Sequence, residues 1–155
     1  MSGIETLGLA NNILQVISTA CQTIALCQAV YHGRSPDETL KECAENLASL
    51  SVNARKQCQQ IQPASKNDKV LLDIAGKCYV AAHALADEFQ FLASPQATGH
   101  LLATPQVAAK TQWRKRRLAR LEKSLKNDKK LVETHLWIWS VMSSAIPLLS
   151  PMKPT

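Results

Sequence analysis

The sequence predicts an all-α fold, an antiparallel bundle of four or five long helices, and two features of the 155-residue chain lead to it. The composition favours helices over sheets, because the chain has only 5 Gly and 5% aromatic residues. Apolar residues recur every three or four positions in four segments, which are separated by Pro and Gly. A chain of this length fits one domain. We expect the bundle to occupy residues 1–146 and a flexible, Pro-containing tail to occupy residues 147–155.

The first predicted helix runs from about Ile4 to His32, and it carries no Asp, Glu, Lys or Arg between Thr6 and Gly33. The rest of its circumference is apolar, which is typical of a helix surrounded by other helices. The same pattern suits a helix that enters lipid in an oligomer, because it is long enough to span a bilayer and the polar stripes of neighbouring copies can face each other. Four residues at spacings of three and four form that stripe: Asn12, Gln15, Thr19 and Gln22.

Capping residues mark the end of the first helix and the start of the second. Gly33 suits the position after the first helix, and Ser35, Pro36 and Glu38 suit the N-cap, the first position and the capping box of the second. The second helix has an apolar stripe and ends before Pro63: Leu40, Cys43, Leu47, Leu50, Ala54, Cys58 and Ile61. The third starts between Ser65 and Asn67, ends at Ser94–Pro95 and has its own stripe: Leu71, Ile74, Cys78, Leu85, Phe89 and Leu92.

The last helical pattern follows a loop over residues 94–104, starts at Thr104–Pro105 and continues to about Ala145. A run of about 40 residues is long for a globular helix, so one continuous helix and a break near Asn127–Asp128 or Thr134 both remain open. Trp137 and Trp139 are two residues apart and cannot share one helix face, which indicates that one of them is exposed or contacts a partner. The apolar positions include Val107, Trp113, Leu118, Leu121, Leu125, Val132, Leu136 and Trp139.

One segment of the last helix carries the positive charge of the chain. The net charge is +6, and ten Lys or Arg but only two acids lie between Lys110 and Lys130. A solvated outer face is the commonest role of such a run; the alternatives are an anionic lipid surface and nucleic acid phosphates. Nucleic acid is disfavoured, because only Trp113 could stack on a base and no binding motif is present. The candidate basic face comprises Lys110, Arg114, Lys115, Arg116, Arg117, Arg120 and Lys123.

The sequence does not indicate catalysis, a cofactor, a metal ion or a small-molecule substrate. It has no phosphate-binding glycine motif and no nucleophile elbow, and its four histidines are not spaced as metal-binding pairs. His83 and Asp87, with Glu88 beside them, are interpreted as a solvated surface pair. The five cysteines lack a C-x-x-C pair and are expected to act as small buried hydrophobes in a reducing compartment: Cys21, Cys27, Cys43, Cys58 and Cys78.

Several segments together resemble a known family. The opening Gly8-Leu9-Ala10-Asn11-Asn12-Ile13-Leu14-Gln15-Val16-Ile17 is similar to the G-L-A-A-N-I-x-Q-F/V-V/I start of the N-terminal domains of fungal NACHT/STAND receptors, which belong to the HeLo-like group of helical cell-death domains. The likeness continues, in order, over roughly residues 3–140. It includes residues 26–33 and 40–50, the spaced set Cys78, Ala82, Leu85 and Phe89, the run Trp113-Arg114-Lys115-Arg116-Arg117-Leu118, and residues 121–125.

This resemblance implies a signalling and death-execution module of a fungal NLR-like innate-immunity or heterokaryon-incompatibility system. Such a module is cytoplasmic, oligomerises with itself or through an NLR-type partner, and is recruited to the plasma membrane when the first helix is released. The alternative is a helical protein–protein interaction module that never contacts lipid. On the first interpretation, the residues expected to carry insertion are Leu7, Leu9, Ile13, Leu14, Ile17 and Ile24.

Overall fold

A computed structural model describes the backbone of residues 3–63, 65–93 and 105–149, and within them the side chains of 6–63, 65–93, 109–138 and 140–141. These residues form four helices: α1 (Gly3–Tyr31), α2 (Glu38–Gln60), α3 (Lys66–Ala93) and α4 (Pro105–Leu149). The described ranges contain no strand, so the predicted all-α class is confirmed. Contacts join α1 to each of the other three helices, α2 to α3, and α3 to α4. The first helix is therefore the centre of the bundle.

The core consists mainly of the apolar stripes that the sequence predicts. The prediction is wrong for Trp113, which is 53% exposed because it lies off the side of the last helix that carries Leu118 and Leu125. Cys43, Leu50, Cys58 and Phe89 are half-buried at the edges of these stripes. Burial of one large aliphatic side chain contributes about 1.5–3 kcal/mol, so these stripes supply the main stabilising term. The buried members include Leu9, Ile13, Ile17 and Ile24 of α1, Leu40, Leu47 and Ala54 of α2, Leu71, Ile74, Cys78, Leu85 and Leu92 of α3, and Leu118, Leu125 and Val132 of α4.

Of the two helix ends for which capping residues are predicted in the described ranges, Gly33 lies as predicted and Ser35 does not. Gly33 adopts a φ of +103°, and the N–H groups of Gly33 and Arg34 donate to the carbonyls of Val30 and Ala29 at 3.0 Å each, which closes α1. Ser65 and Asp68 form a reciprocal capping box at the start of α3. The prediction that Ser35 caps α2 is wrong. The Asp37 carboxylate accepts the Leu40 N–H at 3.1 Å, so α2 begins two residues later, at Glu38.

The last helix is continuous from Pro105 to Leu149, without a break at Asn127–Asp128 or Thr134. The Thr134 hydroxyl donates to the Lys130 carbonyl at 2.8 Å and so remains within the helix. Pro147, which the sequence places in the tail, lies inside the last turns, so the helix extends past the expected boundary at residue 146. The predicted loop over 94–104, residues 150–155, and the side chains of Val107 and Trp139 lie outside the described residues.

Candidate functional site

The central helix α1 contains a segment that is long and apolar enough to cross a membrane. This segment, Thr6–Tyr31, has 26 residues and a mean hydropathy of 1.5, and no other helix in the described residues meets the same criterion. A buried core helix meets it as well, so length and composition do not separate the two roles. Among the residues predicted to carry insertion, four have no exposed surface and Leu7 and Leu14 are half-buried. The four are Leu9, Ile13, Ile17 and Ile24.

The solvent-facing side of α1 is polar but uncharged. Gln15 and Gln22 of the predicted stripe are exposed, whereas Asn12 and Thr19 are half-buried. The Asn12 amide donates to the side-chain oxygen of Gln57 on α2, which accounts for its inward position. The full exposed stripe comprises Asn11, Gln15, Ser18, Gln22 and Ala25. The segment thus satisfies its polar side chains with water and neighbouring helices while it carries no formal charge.

The predicted basic face lies on α4, but one of its members points inward. Lys110, Arg116, Arg120 and Lys123 are exposed, and Lys115 and Arg117 are half-buried. None of these six forms an ion pair with any residue that the structure describes. Beyond them, Lys126 and Lys129 pair with acids one turn away on the same helix. We call the six unpaired residues the basic surface: Lys110, Lys115, Arg116, Arg117, Arg120 and Lys123.

The remaining member, Arg114, belongs to a buried polar cluster that joins three helices. Its Nη1 donates to Oε2 of Glu88 on α3 at 3.0 Å, and the Tyr31 hydroxyl at the end of α1 donates to Oε1 of the same carboxylate. The side chain of Glu88 is 2% exposed and that of Arg114 is 16% exposed. The Arg114 guanidinium also lies 3.7 Å from the ring centroid of Phe91. Burial, followed by the hydrogen bond to Glu88, raises the pKa of Tyr31 well above its ordinary value.

A second buried acid, Asp128, lies on the inner side of α4. It is 5% exposed, and its Oδ2 has no hydrogen-bond partner among the described residues. Burial raises the pKa of Asp128; the positive charge of Lys77 opposes that shift and the negative charge of Asp73 adds to it. Asp128 lies between Leu125 and Val132 on the buried side of α4, a position that is usually occupied by an apolar residue.

The outer side of α4 changes character toward its C-terminal end. Leu131, Trp137, Ile138 and Val141 are 54%, 66%, 40% and 46% exposed. They lie on the side of the helix opposite Leu125 and Val132, as the helical period requires. Trp137 is thus exposed, whereas the side chain of Trp139 lies outside the described residues. Trp113 within the basic segment is also exposed, and the Arg117 guanidinium lies 5.7 Å from its ring centroid.

No three His, Cys, Asp or Glu side chains in the described ranges are placed to hold a metal ion. The five cysteines are free thiols, but the prediction that all of them are buried holds only for Cys27 and Cys78, since Cys21, Cys43 and Cys58 are half-buried. Burial raises the pKa of each, to about 12 for Cys27 and Cys78. A cleft of about 270 Å³ between α2 and α3 is mainly apolar, with the Arg55 guanidinium over the Tyr79 ring at one side. The raised pKa of the five thiols leaves little thiolate near neutral pH.

Comparisons with known proteins found no relative. No protein-family model matches the chain, and no curated protein or solved structure is significantly similar to it.

The Tyr31–Glu88–Arg114 cluster is not predicted from the sequence, where Glu88 is interpreted only as a neighbour of a solvated His83–Asp87 pair. His83 and Asp87 are exposed, and His83 packs against the Tyr79 ring, but Glu88 is buried. A signal was present, because position 88 lies between Leu85 and Leu92 on the apolar stripe of α3. A carboxylate at such a position requires a buried partner.

Proposed function

We propose that this chain is a non-enzymatic signalling and effector module of the HeLo-like kind, which oligomerises and acts at membranes to trigger cell death. The observation that carries the proposal is α1: the central helix of the bundle is uncharged over its whole membrane-length segment, on its exposed side as well as its buried side. A core helix needs to be apolar only where it is buried. Entry into lipid requires in addition that the exposed side carry no charge, and the outer stripe of α1 meets this requirement.

The proposed resting state is an antiparallel four-helix bundle. Asn12, near the start of α1, bonds Gln57 near the end of α2. Tyr31, at the end of α1, meets Glu88 late in α3 and, through it, Arg114 early in α4. These contacts fit an up-down-up-down arrangement in which α1 and α3 run in the same direction.

The free-energy balance explains why α1 would leave this bundle only with help. Leu9, Ile13, Ile17 and Ile24 are completely buried, and their exposure to water would cost about 1.5–3 kcal/mol each, or about 6–12 kcal/mol together. That is comparable to the whole stability of a typical domain. Release is therefore favourable only where lipid or neighbouring copies replace the lost contacts, which makes α1 the element that assembly would switch.

Oligomerisation follows from the outer stripe of α1. Asn11, Gln15, Ser18 and Gln22 would be unfavourable if a single helix placed them against hydrocarbon. In a group of helices they can hydrogen-bond across the helix interfaces. The proposal thus requires self-association, or an NLR-type partner that brings copies together, before insertion at the plasma membrane from the cytoplasm.

The basic surface provides the attraction that precedes insertion. Each Lys or Arg that reaches an anionic bilayer contributes about 1 kcal/mol, and salt screens the attraction. Arg116, Arg120 and Lys123 are exposed and lie within two turns of α4. The neighbouring Trp113 is exposed as well and suits the interfacial region of a bilayer.

Dye release from liposomes tests this proposal. Purified protein and an artificially oligomerised fusion are each added to vesicles of zwitterionic lipid, with and without anionic lipid. We expect leakage only from anionic vesicles and mainly from the oligomerised form. If neither form binds vesicles or releases dye, the membrane proposal is wrong.

A second candidate function is a protein–protein interaction module without membrane activity. The exposed apolar residues at the end of α4 favour it, because large apolar side chains left exposed on one side of a helix are a feature of protein interfaces: Leu131, Trp137, Ile138 and Val141. On this interpretation, Trp137→Ala abolishes a self-complex or partner complex measured by analytical ultracentrifugation, and the wild-type protein does not bind vesicles. If Trp137→Ala instead abolishes dye release and leaves association unchanged, the interaction-module interpretation is wrong.

A further inference from the structure

We propose that Tyr31, Glu88 and Arg114 form a latch that holds the C-terminal end of α1 in the bundle and controls its separation from α3 and α4. The inference deepens the proposed function, on which its biological role rests. Each of the three residues comes from a different helix, so no helix can move away from the other two without breaking a contact of the cluster. α1 takes part through a single group, the Tyr31 hydroxyl.

Both oxygens of the Glu88 carboxylate accept a hydrogen bond. Tyr31 donates to Oε1, and Arg114 donates to Oε2 at 3.0 Å. Glu88 itself is 1% exposed, so water does not replace either donor in the closed bundle. The Arg114 guanidinium is fixed from another side by the Phe91 ring on the same helix as Glu88. The three groups consequently depend on one another, as expected of a buried polar network.

This dependence makes the cluster suited to two-state behaviour. A buried ion pair contributes little when it is compared with a well-packed apolar core, but removal of one partner strands the other charge and is strongly destabilising. The open state differs, because water solvates Glu88 and Arg114 separately. Separation of Arg114 from Glu88 while α1 still covers the cluster is therefore the least favourable arrangement, so the ion pair stays joined as long as this end of α1 is closed.

The position of Arg114 links the latch to the basic surface. Arg114 lies on α4 within the basic segment, immediately before Lys115, Arg116 and Arg117, yet in the closed bundle its charge is neutralised by Glu88. Once α1 leaves and water reaches the pair, separation of Arg114 from Glu88 returns that charge to the basic surface. Contact of α4 with a polyanionic surface therefore competes with Glu88 for the same guanidinium and favours the open state.

Hydrogen–deuterium exchange, read by peptide mass spectrometry on the full chain without lipid, tests the latch. Tyr31→Phe removes only the hydroxyl, and we expect amides in the second half of α1 to exchange about 10- to 100-fold faster, which matches the loss of a hydrogen bond to a charged group. Amides of α2 should keep their protection. Tyr79→Phe is the matched control, because it removes a hydroxyl that does not bond Glu88, and α1 should then exchange as in the wild type.

A charge-removal series gives the second measurement. Arg114→Met leaves Glu88 buried without its cation and should accelerate α1 exchange by about 100-fold or more. The double variant Glu88→Leu with Arg114→Met removes both charges and should restore most of that protection. The latch is refuted if Tyr31→Phe and Tyr79→Phe leave α1 equally protected, or if the latch variants accelerate α2 as much as α1.

The two proposals fail in different ways. Faster α1 exchange in the latch variants, together with no leakage from any vesicle, supports the latch and refutes the membrane function. Leakage by the oligomerised wild type, with unchanged α1 exchange in the latch variants, supports the membrane function and refutes the latch.

Discussion

Truncation of a single isoleucine at the centre of α1 should destabilise the whole bundle. Ile17 has no exposed surface, and the helix that carries it contacts all three others. Replacement of a fully buried Ile by Ala costs about 2–5 kcal/mol, through lost burial and the cavity that remains. With an unfolding slope of about 2 kcal/mol per molar urea, the midpoint should fall by about 1–2.5 M.

Urea titration followed by far-UV circular dichroism measures this shift. Val52→Ala on α2 is the control, since Val52 is 44% exposed and its truncation should change the free energy of unfolding by less than about 0.5 kcal/mol. If Ile17→Ala also stays within about 0.5 kcal/mol of the wild type, α1 is not the core helix. The proposed release of α1 would then no longer begin from a buried core helix.

Three further predictions concern ionisation and charge. Burial raises the pKa of the Asp128 carboxyl above its ordinary 3.8, so the folded chain binds the carboxyl proton more tightly than the unfolded chain does. The stability that this group contributes is therefore lost as the pH rises through the raised pKa. Asp128→Asn should raise the thermal midpoint at pH 7 and have less effect near pH 4, and an equal effect at both would contradict this. Burial raises the pKa of the Cys27 and Cys78 thiols to about 12. A thiolate-selective reagent should therefore label these two thiols slowly at pH 8 until denaturant is added. Rapid labelling of Cys27 and Cys78 in the native chain would contradict their burial. Arg116→Glu combined with Lys123→Glu should reduce sedimentation with anionic vesicles by at least tenfold at low salt, whereas reversal of two exposed lysines of α2 should have little effect.

The helices and the core could be predicted from the sequence, because one-dimensional periodicity determines which side of a helix is buried. The stripes around Leu47, Ile74 and Leu125 are buried where the spacing of three and four places them. The start of α2 was placed two residues early, since Ser35 and Asp37 are both good N-caps and only the fold selects between them. The continuity of α4 was likewise undecided, because Asn127 and Asp128 weaken a helix locally but packing against α1 sustains it.

The candidate site was predictable only in part. The apolar character of α1 and the location of the basic segment follow from composition along the chain. The inward turn of Arg114 does not, because it depends on Glu88 and Phe91, which are more than twenty residues away and on another helix. A single sequence shows that Glu88 occupies an apolar position, but it does not show which of ten cations in the basic segment pairs with it.

The most direct test of the central claim places a charge on the exposed stripe of α1. Ser18 is exposed in the closed bundle, so Ser18→Lys should leave folding intact, while Ser49→Lys on the exposed side of α2 makes the same change elsewhere. A lysine near the middle of a membrane helix costs about 2.5–3.5 kcal/mol, or roughly a hundredfold in insertion, and in an oligomer it also meets the same charge on a neighbouring copy. Dye release from anionic liposomes by the oligomerised fusion should therefore be nearly abolished by Ser18→Lys and retained by Ser49→Lys. Equal leakage by both variants would contradict the claim that α1 enters the membrane.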